Sequence, residues 1–314
     1  MSNSDVKPRP RRAMPQVTIS PFIRRKSDAA LEKQIDLPLE DDCEIPDVVP
    51  SPALLPWMKE NQRIEPNHLA RSNLYAPIAN KARVFHKGTE LISRPDCTIK
   101  YWGEQLDEAD ADIVMQLMYE ASRVPLGTAV KMDRHAFLTA IRRDTGGKQY
   151  EWLEERLDAL TLATMFITTR NTNGTTKYRI GGVKTRESFR IISKLKTITQ
   201  EDGSKDHVFI MDPRWVVLCS NKEYALIDWV KRMEIGRGQS MAKTLQRLIA
   251  TSKTHLQQYG LDYLKVKMNY KGRMRDFTTS LQQSLYELER VGVIAEGKIE
   301  LNTRGKMQAS WIRL

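Results

Sequence analysis

An α+β fold is predicted by three observations. Apolar residues at helical spacing alternate along the chain with short segments of two-residue periodicity. Paired helical runs separated by a polar turn occur twice, and strand-like segments follow each pair. The first sixty residues show neither pattern. Together these features describe two winged helix-turn-helix domains in tandem behind a disordered N-terminal arm. The arm and linker take residues 1–60, the first domain 61–212 and the second 213–314.

The arm changes sign midway. Arg11, Arg12, Arg24, Arg25 and Lys26 give way to Glu40, Asp41, Asp42, Glu44 and Asp47. Pro38, Pro46, Pro50, Pro52 and Pro56 rule out a long helix there, so the stretch reads as flexible.

In the first domain, His68–Asn80 reads as a short helix with Leu69, Leu74 and Ile78 inward, disturbed at Pro77. Thr89–Ile92 and Cys97–Trp102 form a hairpin about Arg94-Pro95-Asp96. Asp107 is the N-cap of a helix carrying Ile113, Val114, Leu117 and Met118, and Asp107, Asp110 and Asp112 answer its dipole better than they suggest a metal. Asp133–Arg143, with Phe137, Leu138 and Ile141, is the next helix. The turn Asp144-Thr145-Gly146-Gly147 leads to Tyr150–Leu162, with Leu153, Leu157 and Leu160. Strands Thr164–Thr169 and Lys177–Ile180 follow, Phe189–Ile198 and His207–Met211 extend their sheet, and the hairpins are the wings.

The second domain repeats the order. Tyr224–Ile235 is expected as a helix with Leu226, Ile227, Val230 and Met233 inward, and Met241–Thr251 as another with Leu245, Leu248 and Ile249. Leu261–Met268 follows Gly260, and Lys271-Gly272 is the turn. Met274–Val291 is a long helix whose Met274, Phe277, Leu281, Leu285, Leu288 and Val291 share one face. Gly292 ends it, and Val293–Leu301 with Met307–Leu314 makes the last hairpin.

Charge narrows the function. The 314 residues hold 50 Lys and Arg against 39 Asp and Glu, a net +11 that attracts polyanions. No apolar run reaches the ~18–20 residues of a spanning helix, and no hydrophobic region follows the basic N-terminus. Neither a membrane role nor secretion is expected. Cys43, Cys97 and Cys219 lie far apart and suggest a reducing compartment, the cytoplasm.

In a helix-turn-helix the second helix enters the major groove by its N-terminal end. In the second domain that helix opens with Arg273 and Arg275, and its polar face continues with Thr278, Thr279, Gln282 and Gln283. Arginine pairs with guanine, glutamine with adenine, and threonine with either a base or the thymine methyl. Lys265, Lys267 and Lys271 stand ahead of it as phosphate anchors. The first domain's counterpart opens with Lys148 but continues with Glu151, Glu154, Glu155 and Asp158, which phosphates repel. That domain is left with Arg142, Arg143, Lys148 and the wing residues Lys177, Arg179, Lys184 and Arg186 for DNA contact, or with a protein-facing role such as self-association.

Enzyme signatures are missing. Gly147-Lys148 lacks the upstream glycine of a P-loop, and the five histidines show neither metal-ligand pairing nor a cysteine partner. No enzyme activity, metal or cofactor is expected. Trp102, Trp152, Trp215, Trp229 and Trp311 read as core residues.

Three stretches resemble the TrfA-type plasmid replication initiators. They are Ile99-Lys100-Tyr101-Trp102-Gly103 running into Leu106-Asp107-Glu108-Ala109-Asp110; Asp144-Thr145-Gly146-Gly147 before Leu153–Leu160; and Ile227-Asp228-Trp229 leading to Ala242 and Leu245. The resemblance, over Leu54 to Val293, implies a protein that binds double-stranded origin repeats (iterons) and promotes duplex opening. It implies recruitment of the host initiator, the replicative helicase and the polymerase clamp. It also implies that the second winged helix is the main reader, while the first serves dimerisation and auxiliary contact. One departure concerns the clamp. Where such initiators carry a Q-L-x-L-F peptide, this chain reads Ala53-Leu54-Leu55-Pro56-Trp57, which speaks against clamp binding by that segment. The alternative within DNA binding is a winged-helix repressor that grips a palindromic operator as a dimer.

Overall fold

Cys97–Glu104 alternates buried and half-buried or exposed side chains, as a strand with one face on the core must. The computed structural model describes residue 49 and residues 51–77, 83–182, 187–201 and 205–314. Its first elements are β1 (Gln62–Pro66), α1 (Asn67–Ala70), β2 (Phe85–Leu91), β3 (Cys97–Glu104), α2 (Glu108–Ala121), β4 (Val130–Met132), α3 (Arg134–Ala140) and α4 (Gly147–Leu162). Strands β5 (Thr164–Arg170), β6 (Thr176–Ile180), β7 (Phe189–Arg190), β8 (Ile192–Thr199) and β9 (Lys205–Met211) come next. After α5 (Trp215–Leu218), β10 (Tyr224–Asp228) and α6 (Trp229–Glu234) the chain runs through α7 (Ser240–Ala250), β11 (Leu256–Gly260) and α8 (Leu261–Lys267). It closes with α9 (Met274–Arg290), β12 (Ile294–Leu301) and β13 (Met307–Arg313).

The class is α+β, with antiparallel sheets, as the sequence predicts. One order of elements occurs twice. Helix α2, strand β4, helices α3 and α4, then β8 and β9 form a three-stranded sheet in the order β4-β9-β8. Helix α7, strand β11, helices α8 and α9, then β12 and β13 form another in the equivalent order β11-β13-β12. Between α4 and β8 the first copy inserts β5, β6 and β7, which join β2 and β3 in a five-stranded sheet. Phe189–Ile198 and His207–Met211 therefore do not extend the β5–β6 sheet as expected. Only Phe189–Arg190 pairs with β5, while β8 pairs with β9 and β9 with β4, a strand too short to stand out by periodicity.

The expected arm lies outside the described residues as far as residue 48. Its last part packs, with Ala53, Leu55 and Met58 buried. The helix expected over His68–Asn80 is the single turn α1. Beyond it Asn73 binds Ile92 through both its amide N–H and its side-chain oxygen, which turns the chain away, and Leu74 and Tyr75 are still buried. Ile78 lies outside the described residues.

The helix expected over Tyr224–Ile235 is a strand followed by a helix. Asp228 accepts from the Lys231 N–H at 3.1 Å and so starts α6, while Tyr224 to Asp228 pair with β1. Val230, expected inward, is exposed. An apolar run this short fits both periods, and the partner strand decides.

Buried apolar side chains form two clusters, one from Ala53 to Trp229 and one from Ile235 to Trp311. In the second, Phe277, Leu281, Leu285 and Leu288 project from one face of α9, each fully buried, against Leu245 and Leu248 of α7. Gly292, at φ +68, takes the left-handed turn that stops α9, and the Val293 N–H closes back on the Leu288 carbonyl.

Ions join the two clusters. Asp107 caps α2, with Asp110 completing a capping box, so these carboxylates serve the helix start as predicted. Glu108 and Asp112 do more. Arg232 of α6 donates to Glu108 at 2.8 Å and to Asp112 at 2.6 Å, and Arg247 of α7 donates to Glu65 at 2.9 Å and also to Glu108. Thr244 adds a hydroxyl to Glu108 at 2.7 Å, and Lys243 binds Asp112. Burial alone would raise the Glu108 carboxyl, but Arg247 and Arg232 outweigh it and hold it down to about 2.

Candidate nucleic-acid interface

Helices α8 and α9 meet through a tight turn. Asn269 takes φ 50, and the Tyr270 ring lies tilted against that of Phe277 with centroids 5.2 Å apart, anchoring the turn to the core. Lys271, Gly272 and Arg273 are then thrown onto the surface. Arg273 occupies the N-cap position of α9 in extended conformation, and no side chain caps the helix. Its first amides and dipole therefore add positive potential to that of Lys271, Arg273 and Arg275, offset only by Asp276.

The exposed side of α9 runs opposite the buried row. Arg275, Thr279, Gln283 and Tyr286 are exposed, and Thr278 and Gln282 half-buried. The two threonine hydroxyls donate to the carbonyls one turn back, Thr278 to Met274 at 2.9 Å and Thr279 to Arg275 at 3.2 Å. Their oxygens keep acceptor capacity on the outer face. Tyr286, which the sequence reading did not single out, continues the row one turn beyond Gln282.

Of the three lysines expected to anchor phosphates, Lys271 is exposed and Lys265 half-buried on α8. Lys267 is a correction. It is buried, and its Nζ donates to the Ala70 carbonyl at 3.0 Å and the Ser72 carbonyl at 2.9 Å. Burial, and next the charge of Arg247, lower its ammonium to about 7. It ties α8 to the end of α1 and is unavailable to a phosphate.

A second basic feature comes from the hairpin β12–β13. The Asn302 side-chain oxygen accepts from the N–H groups of Arg304 and Lys306, both at 2.9 Å, and Gly305 at φ +71 completes the turn. Arg304 and Lys306 are exposed at its tip. The sequence reading placed this hairpin without weighing those two cations. The signal was the Asn-Thr-Arg-Gly-Lys turn between two strand segments.

In the first copy the helix equivalent to α9 is α4. Lys148 is exposed at its start, and Glu151, Glu155 and Asp158 are exposed after it. Glu154 is engaged by Arg134 at 3.1 Å and Lys205 at 2.8 Å. Arg142, at φ 50, donates to the Met233 carbonyl at 3.2 Å. Arg143 lies over the Trp152 ring at 3.4 Å and donates to Gln149 at 3.2 Å, and burial lowers its guanidinium. Lys177 and Arg179 sit on β6, in the inserted sheet and not in the three-stranded one. Lys184 and Arg186 lie outside the described residues. The structure thus brings together Lys271, Arg273, Arg275, Thr278, Thr279, Gln282 and Gln283, and it leaves the first-copy residues apart from them in sequence and in element.

Among the described residues no group of His, Cys, Asp and Glu is placed to hold a metal ion. His68 meets the Tyr178 hydroxyl at 3.2 Å, and His207 the Thr197 hydroxyl at 3.0 Å, both as buried packing partners. No helix among those residues is long and apolar enough to cross a membrane. Cys97 and Cys219 are buried thiols.

Residues 107–287 match the family model described as replication initiator protein A. The fold is similar to a crystal structure described as selenomethionine derivatives of domain 2 and domain 3 of RctB. The TM-score is 0.52 at 11% identity, over 79% of this chain and 98% of that one. Another crystal structure of RctB domains 2-3 gives a TM-score of 0.49 at 10% identity, over 76% and 95% of the two chains. At such identity the first likeness speaks to fold alone. No curated protein matches the sequence.

Proposed function

The chain belongs to the replication initiator protein A family, and from that premise we propose a plasmid replication initiator of the TrfA type, a non-enzymatic cytoplasmic protein that binds iterons in duplex DNA. The two copies of one element order are read as winged-helix units. Unit two reads sequence through α9, with Arg275, Thr279, Gln282 and Gln283 toward base edges and Lys271 and Arg273 toward phosphates. Its wing is the Asn302–Lys306 turn, whose Arg304 and Lys306 add backbone or minor-groove contacts. Unit one supplies dimerisation and auxiliary contact. Opening of the origin and recruitment of the host initiator and helicase complete the role. Recruitment of the polymerase clamp by Ala53–Trp57 is not part of it, since the segment has no glutamine and carries Pro56.

The observation that carries this reading is the single exposed row on α9. It opens on two arginines, has no acidic partner beyond Asp276, and lies on a helix whose other face is fixed in the core. The deciding experiment supplies this gene in trans to an origin fragment of its own replicon. Replication of the fragment is expected. No replication, with dimeric binding to a palindromic operator, would replace the reading with a repressor.

A further inference from the structure

The first copy's sheet has a face that the sequence reading passed over. In the register of β8, β9 and β4, Lys196 lies opposite Val208, Val208 opposite Lys131, and Lys194 opposite Ile210. Residues directly opposite share a face, so Lys131, Lys194 and Lys196 all project from the same side of the sheet. Leu195, Phe209, His207 and Met132 take the other side, and of these Phe209, His207 and Met132 are buried. Lys194 and Lys196 are exposed and have no carboxylate partner among the described residues. Lys131 is 69% exposed and paired with Asp206 at 2.9 Å, the one acidic group that the register brings to this face.

We infer that the first unit meets the phosphate backbone of duplex DNA with this sheet face, through Lys194 and Lys196, and not with its helix α4. This rests on the reading of the chain as a duplex binder. Two independent observations favour it. The side of α4 in the reader's position shows Glu151, Glu155 and Asp158 to solvent, which repels phosphates. The hairpin β8–β9 is the topological counterpart of β12–β13, which in the second unit carries Arg304 and Lys306 at its tip. Two lysines two residues apart on an extended strand stand about 7 Å apart, a spacing from which flexible side chains reach neighbouring phosphates on one strand. The contact is to backbone, so it adds affinity without adding sequence preference.

The test uses the full chain, an origin-fragment duplex and a random duplex of equal length. The double variant Lys194→Gln/Lys196→Gln is compared with wild type and with Lys194→Arg/Lys196→Arg across salt concentrations. The slope of log affinity against log salt is expected to become shallower by about two for the glutamine variant on both duplexes. The arginine variant keeps the wild-type slope, and the ratio of origin to random affinity stays constant. An unchanged slope for the glutamine variant overturns the inference. If the oligomeric state changes while the slope does not, the face is an interface between copies. Should wild type fail to prefer the origin fragment, the initiator reading falls, while the slope on random duplex still decides the role of the face.

Discussion

Arg247 and Glu108 form an ion pair in which the arginine side chain is 0% and the carboxylate 2% exposed. It lies where the two apolar clusters meet, with Arg232 as second donor to the same carboxylate. Buried pairs of this kind contribute little net stability while intact but cost heavily when one partner is lost.

Glu108→Gln leaves two buried guanidiniums short of charge and should destabilise the protein by about 3–5 kcal/mol at neutral pH. The folded carboxyl is held to about 2 against an ordinary value of 4.5, so its stabilisation is complete above 4.5 and is lost as pH falls through 2. Urea unfolding of both proteins at pH 7 and at successively lower pH should show the gap closing. A gap independent of pH would assign the loss to packing.

Lys267 differs in that its charged form is the one the fold disfavours. Its folded value of about 7 lies below the ordinary 10.5, so between these values the unfolded chain binds a proton that the folded chain does not. Its contribution to stability therefore rises with pH across that window, and the burial cost is fully present below pH 7. Relative to Lys267→Met, wild type should gain stability between pH 7 and pH 10 in urea titrations. Parallel curves for the two proteins would contradict a buried, shifted ammonium.

Arg275→Ala should weaken specific binding by ~1–3 kcal/mol and relax preference at one base position, as removal of a bidentate base contact does. Competition binding against a set of single-base variants of the site measures this. Equal loss on specific and random DNA would make Arg275 a phosphate anchor.

Arg304→Ala/Lys306→Ala should lower affinity for all duplexes alike and reduce the salt slope by about two, one for each lost phosphate contact. Binding isotherms at several salt concentrations check it, and an unaltered slope would remove the hairpin tip from the interface.

What could be read in advance follows from the range of the forces involved. Helix α9 was legible because its buried row, from Phe277 to Leu288, repeats over several turns, and the Asp107 cap because it acts on amides two and three residues away. Tyr224–Asp228 was not, since its strand character depends on β1, far upstream. Asp107 and Asp110 belong to the helix start as expected, whereas Asp112 does not. Arg232 and Arg247, which hold Glu108 and, for Arg232, Asp112, come from distant elements that no local pattern marks. Lysine at 267 reads as a surface cation until the carbonyls of Ala70, at the end of α1, and Ser72, just past it, close over it. Within the α9 surface the exposed polar candidates were legible and Tyr286 was not, while Arg304 and Lys306 were visible as a turn and not weighed as charge.

The pairing of β1 with β10 also bears on how the protein is made. Gln62 waits for Asp228 and Pro66 for Tyr224, so nothing can satisfy that strand until the whole stretch from Asn67 to Glu223 has been synthesised. At translation rates of about 5–20 residues per second, the delay is on the order of ten seconds or more. Throughout it Ile64, fully covered in the finished molecule, stays accessible to chaperones and to other nascent chains. Translation speed should therefore bear on soluble yield in addition to the stability of the finished fold.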